Sequence, residues 1–120
     1  MAQPKVSILI SFYNLAPYVD ETLESVLHQE TNFPIEVLCA DDGSTDDTVK
    51  KLRVWEQKYP NIIRVFVMDF VPGEKRPPDV RIKRLNAIRG RLFSEARGEY
   101  ICYLDGDDFY TDVHKLQKQA

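Results

Sequence analysis

The sequence predicts an α/β protein with a Rossmann-like, doubly wound parallel sheet between two helical layers, a three-layer α/β/α arrangement. Four short apolar runs rich in β-branched residues alternate with segments whose apolar residues repeat at helical spacing. Short connections between parallel strands need helical crossovers, so this alternation favours a parallel sheet. The 120 residues, 43% hydrophobic and 29% charged, suit one globular domain without repeats or an interdomain linker.

The first half of the chain predicts two strands and two helices. Residues 6–12 form a continuous apolar run, which is typical of a strand buried on both faces. Pro17 suits the first turn of a helix, and the apolar residues that follow at helical spacing are Val19, Leu23, Val26 and Leu27. Residues 35–40 predict the second strand. Ser44 then predicts the N-cap of the second helix, with Asp47 placed as in a capping box. The expected buried stripe of this helix is Val49, Leu52 and Trp55.

The second half predicts two further strands around a third helix. Residues 62–68 form the third strand, and prolines and glycine across residues 69–80 indicate a loop. The apolar stripe of the third helix is Ile82, Leu85, Ile88, Leu92, Phe93 and Ala96. Gly98 stands where a left-handed C-cap glycine belongs. Residues 100–104 form the fourth strand, and a polar helix-like segment begins at residue 112.

Composition excludes several classes of function. A net charge of −3 argues against a nucleic-acid partner, which would favour a basic face. The sequence has neither an apolar run near the roughly 20 residues of a membrane span nor the apolar region of a signal peptide. Cys39 and Cys102 lie in apolar strand runs and are expected as free thiols in a reducing compartment. These features together predict a cytoplasmic location, and His28 and His114 lack metal-ligand spacing.

Two acidic clusters follow predicted strands directly. Residues 41–46 read Asp-Asp-Gly-Ser-Thr-Asp, and residues 105–108 read Asp-Gly-Asp-Asp. Loops at the carboxyl ends of strands line the ligand crevice of an open α/β sheet. Clustered carboxylates repel one another unless a cation or hydrogen-bond donors offset the charge. The pattern indicates a metal-assisted site for a phosphate-bearing ligand. Solvated acidic turns that complement helix N-termini remain the alternative.

Five motifs in order resemble family 2 glycosyltransferases, which have the GT-A fold. They lie at residues 6–14, 24–29, 41–46, 97–101 and 104–108. The resemblance implies the strand order 3-2-1-4 and inverting transfer of a sugar from a nucleotide-diphospho-sugar to an acceptor hydroxyl. In that family the general base and the acceptor pocket follow the Asp-x-Asp strand. We therefore expect residues 1–120 to be one domain, the donor-binding N-terminal part of a longer glycosyltransferase, and to be inactive alone.

The resemblance also implies roles for the acidic residues. Asp107 would bind Mn²⁺ or Mg²⁺, with Asp105 sharing the metal or lying near the ribose. The cation would stabilise the departing diphosphate. Asp42 would accept a hydrogen bond from the nucleobase, whereas Asp41 would serve the local turn.

Further donor contacts are implied on the first strand and the third helix. Ser11, Tyr13 and Asn14 would wrap the base and ribose, although Ser11-Phe12 replaces the commoner Pro-Thr, and Tyr13 equally suits the core. Arg84 lies in a basic stretch, residues 75–91, which either clamps the diphosphate or is a solvated helix face.

The partners expected from the resemblance are a UDP-sugar donor and an acceptor that is a glycan or a lipid-linked sugar, as in polysaccharide biosynthesis. The longer protein would work at the inner membrane face. The fourth strand would present an apolar edge, which predicts a homodimer through that edge. Two alternatives remain: a nucleotide-binding module without catalysis and a receiver-like signalling domain. A Rossmann dehydrogenase is disfavoured, because no Gly-x-Gly-x-x-Gly follows the first strand.

Overall fold

A computed structural model describes residues 3–29, 33–68 and 77–105, apart from the side chain of Asp105. Strands and helices alternate along these residues in the predicted order. They are β1 (Val6–Phe12), α1 (Ala16–Leu27), β2 (Ile35–Asp41), α2 (Thr48–Lys58), β3 (Ile63–Val67), α3 (Pro78–Glu95) and β4 (Tyr100–Asp105). Across the described residues no helix is long and apolar enough to cross a membrane.

The four strands form one parallel sheet in the order β3-β2-β1-β4. The chain therefore runs outward from β1 through β2 to β3, and then crosses back to place β4 on the other side of β1. This confirms the predicted fold class and strand order. The change of direction creates a switch point between β1 and β4, where open α/β sheets bind ligands at the carboxyl ends of the strands.

Both faces of the sheet are covered. One core cluster joins Ile8 and Ile10 of β1 to residues of α1 and to Leu52 of α2. The other joins Leu9 to Ile88 and Leu92 of α3. Alternate residues of a strand point to opposite faces, so the continuous apolar run of β1 is explained by burial on both sides. The result is the predicted three-layer arrangement.

The second helix begins later than predicted. Asp47 is its N-cap residue and Thr48 its first residue, whereas Ser44 lies in the preceding loop. The Ser44 hydroxyl donates to the Asp41 carboxylate and accepts from the Asn14 backbone N–H. The prediction of Ser44 as an N-cap was wrong because this hydroxyl bonds to Asp41 at the end of β2 and to Asn14 of the loop after β1 instead.

The third helix differs from prediction at its start and along its buried face. It begins at Pro78, within the predicted loop, and proline suits a first helical turn. Ile88 and Leu92 are buried as expected, but Ile82 and Phe93 are 60% and 49% exposed. Arg84 occupies the buried face in their place. Residues 69–76 and the predicted segment from residue 112 lie outside the described residues.

Gly98 is not a left-handed C-cap. α3 ends at Glu95 with Ala96 as its extended cap residue, and among the described glycines only Gly43 has a positive φ. A Cβ on Gly98 would lie 2.6 Å from the Ser7 backbone nitrogen. Glycine is therefore required here because β4 enters the sheet in close contact with β1.

Candidate functional site

Three strands bring the predicted site residues to one edge of the sheet. Phe12 of β1 pairs with Asp41 of β2, and Ser11 pairs with Asp105 of β4. The loop after β1 (residues 13–15, called the first loop) therefore lies beside the loop after β2 (residues 42–47, called the second loop). The last residue of β4 lies on the other side of β1. We call the line along the carboxyl ends of the strands the carboxyl edge of the sheet and the line along their amino ends the amino edge. The carboxyl edge is the candidate functional site.

Asp41 shapes the turn that begins the second loop. Its side chain is buried, and it accepts hydrogen bonds from the Ser44 backbone N–H at 2.9 Å and from the Ser44 hydroxyl. Gly43 has a φ of 75°, which favours glycine. As predicted, Asp41 serves the backbone turn.

Asp42 is paired with Arg84, so the structure brings two predicted site residues together. The Arg84 Nε donates to Asp42 Oδ1 at 2.9 Å, and Nη2 donates to the Asp42 carbonyl at 3.1 Å. The side chains are 4% exposed for Arg84 and 13% exposed for Asp42. The Asp42 backbone N–H donates to the Phe12 carbonyl at 2.8 Å. Arg84 is thus not part of a solvated helix face, and it fixes one oxygen of the Asp42 carboxylate.

Asn14 connects the two loops. Its φ is 50°, a left-handed conformation that asparagine tolerates better than most residues. Its Oδ1 accepts from the Thr45 backbone N–H at 2.7 Å, and its own N–H donates to Ser44 Oγ at 2.9 Å. Tyr13 and Ser11 are both half-buried at the same edge.

Asp46 and Thr48 also hold the loops together. The sequence pattern indicated Asp46 only as a member of the acidic cluster and indicated no role for Thr48. Asp46 Oδ2 accepts from the Ala16 N–H at 3.2 Å, and Thr48 Oγ1 accepts from the Leu15 N–H at 3.0 Å. Burial acts to raise the pKa of Asp46, but hydrogen bonds from Thr48 and the Ala16 backbone outweigh it and hold the pKa below its ordinary value. The Asp-x-Thr spacing of Asp46 and Thr48 is typical of local side-chain-to-backbone bonding, and it was the sequence signal that could have indicated a structural role for these two residues.

The predicted metal ligands are only partly placed. The backbone of Asp105 ends β4 beside Ser11. The Asp105 side chain and Asp107 lie outside the described residues, so their metal-binding role stays a prediction. Within residues 3–29, 33–68 and 77–104, no three His, Cys, Asp or Glu side chains cluster to hold a metal. His28 is the C-cap residue of α1, and His114 lies outside the described residues.

A separate polar network lies at the amino edge of the sheet. The buried Glu36 carboxylate accepts from Ser7 Oγ and from the Arg97 backbone N–H, both at 2.6 Å, and from Arg64 at 3.3 Å. Burial acts to raise the pKa of Glu36, but these hydrogen bonds and the arginine charges outweigh it and lower the pKa. A cavity of about 290 Å³ lies beside Glu36 and Arg97. We regard this network as structural, because its polar groups bond to one another and because it lies at the edge opposite the acidic loops.

Both cysteines lie in strands of the sheet, as predicted: Cys39 in β2 and Cys102 in β4. Cys39 is fully buried, and burial raises the pKa of its thiol.

Comparison with known proteins identifies the family. The family model described as glycosyl transferase family 2 matches residues 7–70, just over half of the chain. The chain therefore belongs to glycosyl transferase family 2. The poly(ribitol-phosphate) beta-glucosyltransferase of Bacillus spizizenii is 32% identical over 108 residues, which are 88% of this chain and 15% of that protein.

Solved structures of glycosyltransferases share the fold. TarS of S. aureus in complex with UDP-GlcNAc has a TM-score of 0.69 and 27% identity, covering 96% of this chain and 30% of the TarS chain. The mannosyltransferase PcManGT of Pyrobaculum calidifontis, in complex with GDP-Man and Mn²⁺, has a TM-score of 0.70 and 25% identity. This match covers 96% of the present chain and 31% of the PcManGT chain. The chain thus spans 15% of the length of the glucosyltransferase, 30% of the TarS chain, which is the fragment 1–349, and 31% of the PcManGT chain.

Family membership supports a transferase and removes the receiver-like alternative. The strand order agrees, because receiver-type sheets follow the order 2-1-3-4-5, with β1 next to β3. Here β1 lies between β2 and β4.

Proposed function

We propose that this chain is the donor-binding part of a longer family 2 glycosyltransferase and that it binds a nucleotide-diphospho-sugar, with UDP-sugars the first class to test. The observation that carries the proposal is the buried Asp42–Arg84 pair at the switch-point edge of the sheet. An oriented carboxylate at this position suits an N–H donor on a nucleobase. The ligands of TarS and of PcManGT, UDP-GlcNAc and GDP-Man, support the same ligand class.

The proposed roles of Ser11 and Tyr13 follow from their place at the carboxyl edge of the sheet. Tyr13 directly follows β1, where an aromatic ring can stack on a base, and Ser11 lies between Ala40 and Asp105 in the strand register. A base between the two loops would meet Tyr13 on one side and Asp42 on the other. The diphosphate would then extend toward the end of β4.

A divalent cation, Mn²⁺ or Mg²⁺, is part of the proposal. Asp105 and Asp107 would hold it, and two carboxylates are the hard oxygen donors that these ions prefer. The backbone of Asp105 ends β4 beside Ser11, which agrees with a diphosphate reaching that point. When bound, the cation supplies Lewis-acid stabilisation of the diphosphate leaving group. The Mn²⁺ of the PcManGT complex supports this choice.

The remaining elements of the proposal concern the longer protein. Transfer would proceed with inversion to the hydroxyl of a glycan or lipid-linked acceptor, with a general base outside residues 1–120. The protein would act in the cytoplasm at the inner membrane face. Activity of the whole protein on a UDP-sugar would distinguish an enzyme from a nucleotide-binding module without catalysis.

Calorimetric titration of UDP, with and without Mn²⁺, tests the donor site. We expect binding that requires Mn²⁺ and that is lost in Asp107→Ala. Glu99→Ala is the matched control, because Glu99 is an exposed carboxylate next to the opposite end of β4. Equal binding by the Asp107→Ala protein would overturn the metal assignment. Failure of the unaltered protein to bind UDP, GDP or their sugars would overturn the donor site.

A further inference from the structure

The first and second loops satisfy each other's backbone groups. Three consecutive N–H groups, on Asn14 and Leu15 of the first loop and on Ala16 at the start of α1, donate to side chains of the second loop and of the first residue of α2. The acceptors are Ser44, Thr48 and Asp46, respectively. In return, the Asn14 side chain accepts from the Thr45 N–H, with a longer contact of 3.4 Å from the Asp46 N–H. We call the four residues Asn14, Ser44, Asp46 and Thr48 the loop clamp.

The loop clamp replaces a local cap for α1. Leu15 stands at the N-cap position and provides no side-chain cap. Pro17 has no N–H and the Tyr18 N–H bonds to the Leu15 carbonyl, so the N–H groups of Leu15 and Ala16 are the ones that need acceptors from elsewhere. Asp46 of the second loop and Thr48, the first residue of α2, supply the missing acceptors. The negative charge of Asp46 also complements the positive end of the α1 dipole. The start of α1 therefore depends on the position of the second loop.

Both of the proposed base contacts are next to this clamp. Tyr13 directly precedes Asn14, and Asp42 is separated from Ser44 only by Gly43. Asp42 is in addition bound to Arg84 of α3. The geometry points to Asn14 and Asp46 as positioning residues, which set the spacing between Tyr13 and Asp42 and do not themselves contact the nucleotide. This inference rests on the proposed function for its ligand.

The chemistry of Asn14 explains why its role is to position the loops. Its carbonyl oxygen is already used by the Thr45 N–H at 2.7 Å, and its backbone is held at a φ of 50°. A ligand contact through that oxygen would compete with the bond that holds the second loop. Loops that are ordered before binding avoid the entropy cost of being ordered by the ligand, which strengthens binding without adding a contact.

Three variants separate positioning from direct contact. Asn14→Gly keeps the left-handed backbone accessible and removes the acceptor. Asn14→Asp keeps an acceptor oxygen in the same place and also tolerates this backbone. Asp47→Ala is the control, because Asp47 is an exposed carboxylate of the same loop that makes no side-chain cap bond. Each protein is titrated with UDP and Mn²⁺, and backbone amide NMR spectra are recorded without ligand.

We expect Asn14→Gly to weaken UDP binding about tenfold, a change equivalent to roughly one net hydrogen bond. Asn14→Asp should restore affinity to within about threefold. In the ligand-free spectra, Asn14→Gly should shift the amides of Asp42 and Gly43 and speed hydrogen exchange at Thr45, whereas Asp47→Ala should leave Thr45 protected.

Unchanged UDP affinity in Asn14→Gly would overturn the inference. The inference would also be overturned if Asn14→Asp bound UDP as weakly as Asn14→Gly does. If the unaltered protein does not bind UDP, the proposed function fails, and the NMR readout still decides whether the clamp sets the loop positions. Unshifted Asp42 and Gly43 amides in Asn14→Gly would then refute the clamp itself.

Discussion

Replacing Arg84 with methionine tests the buried ion pair on which the proposed site depends. The Arg84 side chain is 4% exposed, and it donates to both the carboxylate and the carbonyl of Asp42. Methionine keeps an unbranched apolar stem of similar reach but removes both donors. The Asp42 carboxylate, which is 13% exposed, would lose its arginine partner in a largely buried place.

The expected loss follows from that burial. Removing one partner of a buried pair costs about 3–5 kcal/mol. Because Asp42 retains some contact with water, the lower end applies, and we expect the free energy of unfolding to fall by about 3 kcal/mol. At about 4 °C per kcal/mol for a domain of this size, Tm should fall by about 12 °C. Arg81→Met, an exposed change on the same helix, should stay within about 0.5 kcal/mol.

A double-mutant cycle with Asp42→Asn measures the pair directly. Urea unfolding of both single variants and of the double variant should give a coupling free energy of about 2 kcal/mol, since the double variant leaves no buried charge unpaired. Single-variant losses that add to the double-variant loss within about 0.5 kcal/mol would refute the ion-pair account.

Three further predictions concern the frame that supports the site. Gly98→Ala should destabilise the protein by about 2–3 kcal/mol in urea unfolding, because the new Cβ would lie 2.6 Å from the Ser7 backbone nitrogen. The control Gly90→Ala, whose Cβ would have nothing within 4 Å, should instead stabilise the protein by about 0.5–1 kcal/mol. Equal effects of the two substitutions would contradict the argument that β4 closely approaches β1 at Gly98. The pKa of Glu36 is lowered in the folded state, so the ionised carboxylate stabilises the fold above the ordinary pKa of 4.5, and this stabilisation is lost as the pH falls through the folded pKa. Glu36→Gln should therefore make the free energy of unfolding depend less on pH in the acid range. An unchanged acid dependence would argue against this role of Glu36. β4 is the outermost strand on one side of the sheet that the described residues form, and its Tyr100 and Ile101 are 48% and 43% exposed. Light scattering at high protein concentration should therefore detect a dimer that pairs through β4. A monomer at every concentration would count against this pairing.

The fold could be predicted from the sequence because local and global signals agree. The apolar runs of β1 and β2 are long and β-branched, and the intervening helices have clear apolar stripes. The strand order came from the family resemblance, and the structure confirms it.

The errors occur where a polar side chain bonds across the fold. Ser44 matches an N-cap locally, but it bonds to Asp41 and Asn14 instead. Arg84 occupies a face that periodicity assigned to apolar residues, because Asp42 lies 42 positions earlier in the chain and pairs with it there. Gly98 is required by contact with β1, which no helix-end pattern reveals. Hydrophobic periodicity carries no information about such long-range polar contacts.

The placement of the predicted site residues could be read from the sequence better than the contacts between them. Asp42 and Arg84 lie together at the expected edge, and Asp41 serves its turn as predicted. The contact of Asn14 with the ligand stays a prediction, and the structure adds that its side-chain oxygen accepts from the Thr45 N–H of the second loop. The role of Asp46 in joining the loops was missed, since its partner Ala16 lies 30 positions earlier in the chain and comes close only when β1 and β2 pair.

Paramagnetic broadening by Mn²⁺ in the presence of UDP tests the central claim most directly, because it locates the metal on the sheet. The two edges are separated by about seven residues of strand, or roughly 20 Å. We predict that the amides of Tyr13 and Asp42 broaden only when UDP and Mn²⁺ are both present, while those of Lys5 and Glu99 at the amino edge stay sharp. Broadening centred on Lys5 and Glu99, or none at either edge, would contradict a nucleotide and metal site at the carboxyl ends of the strands.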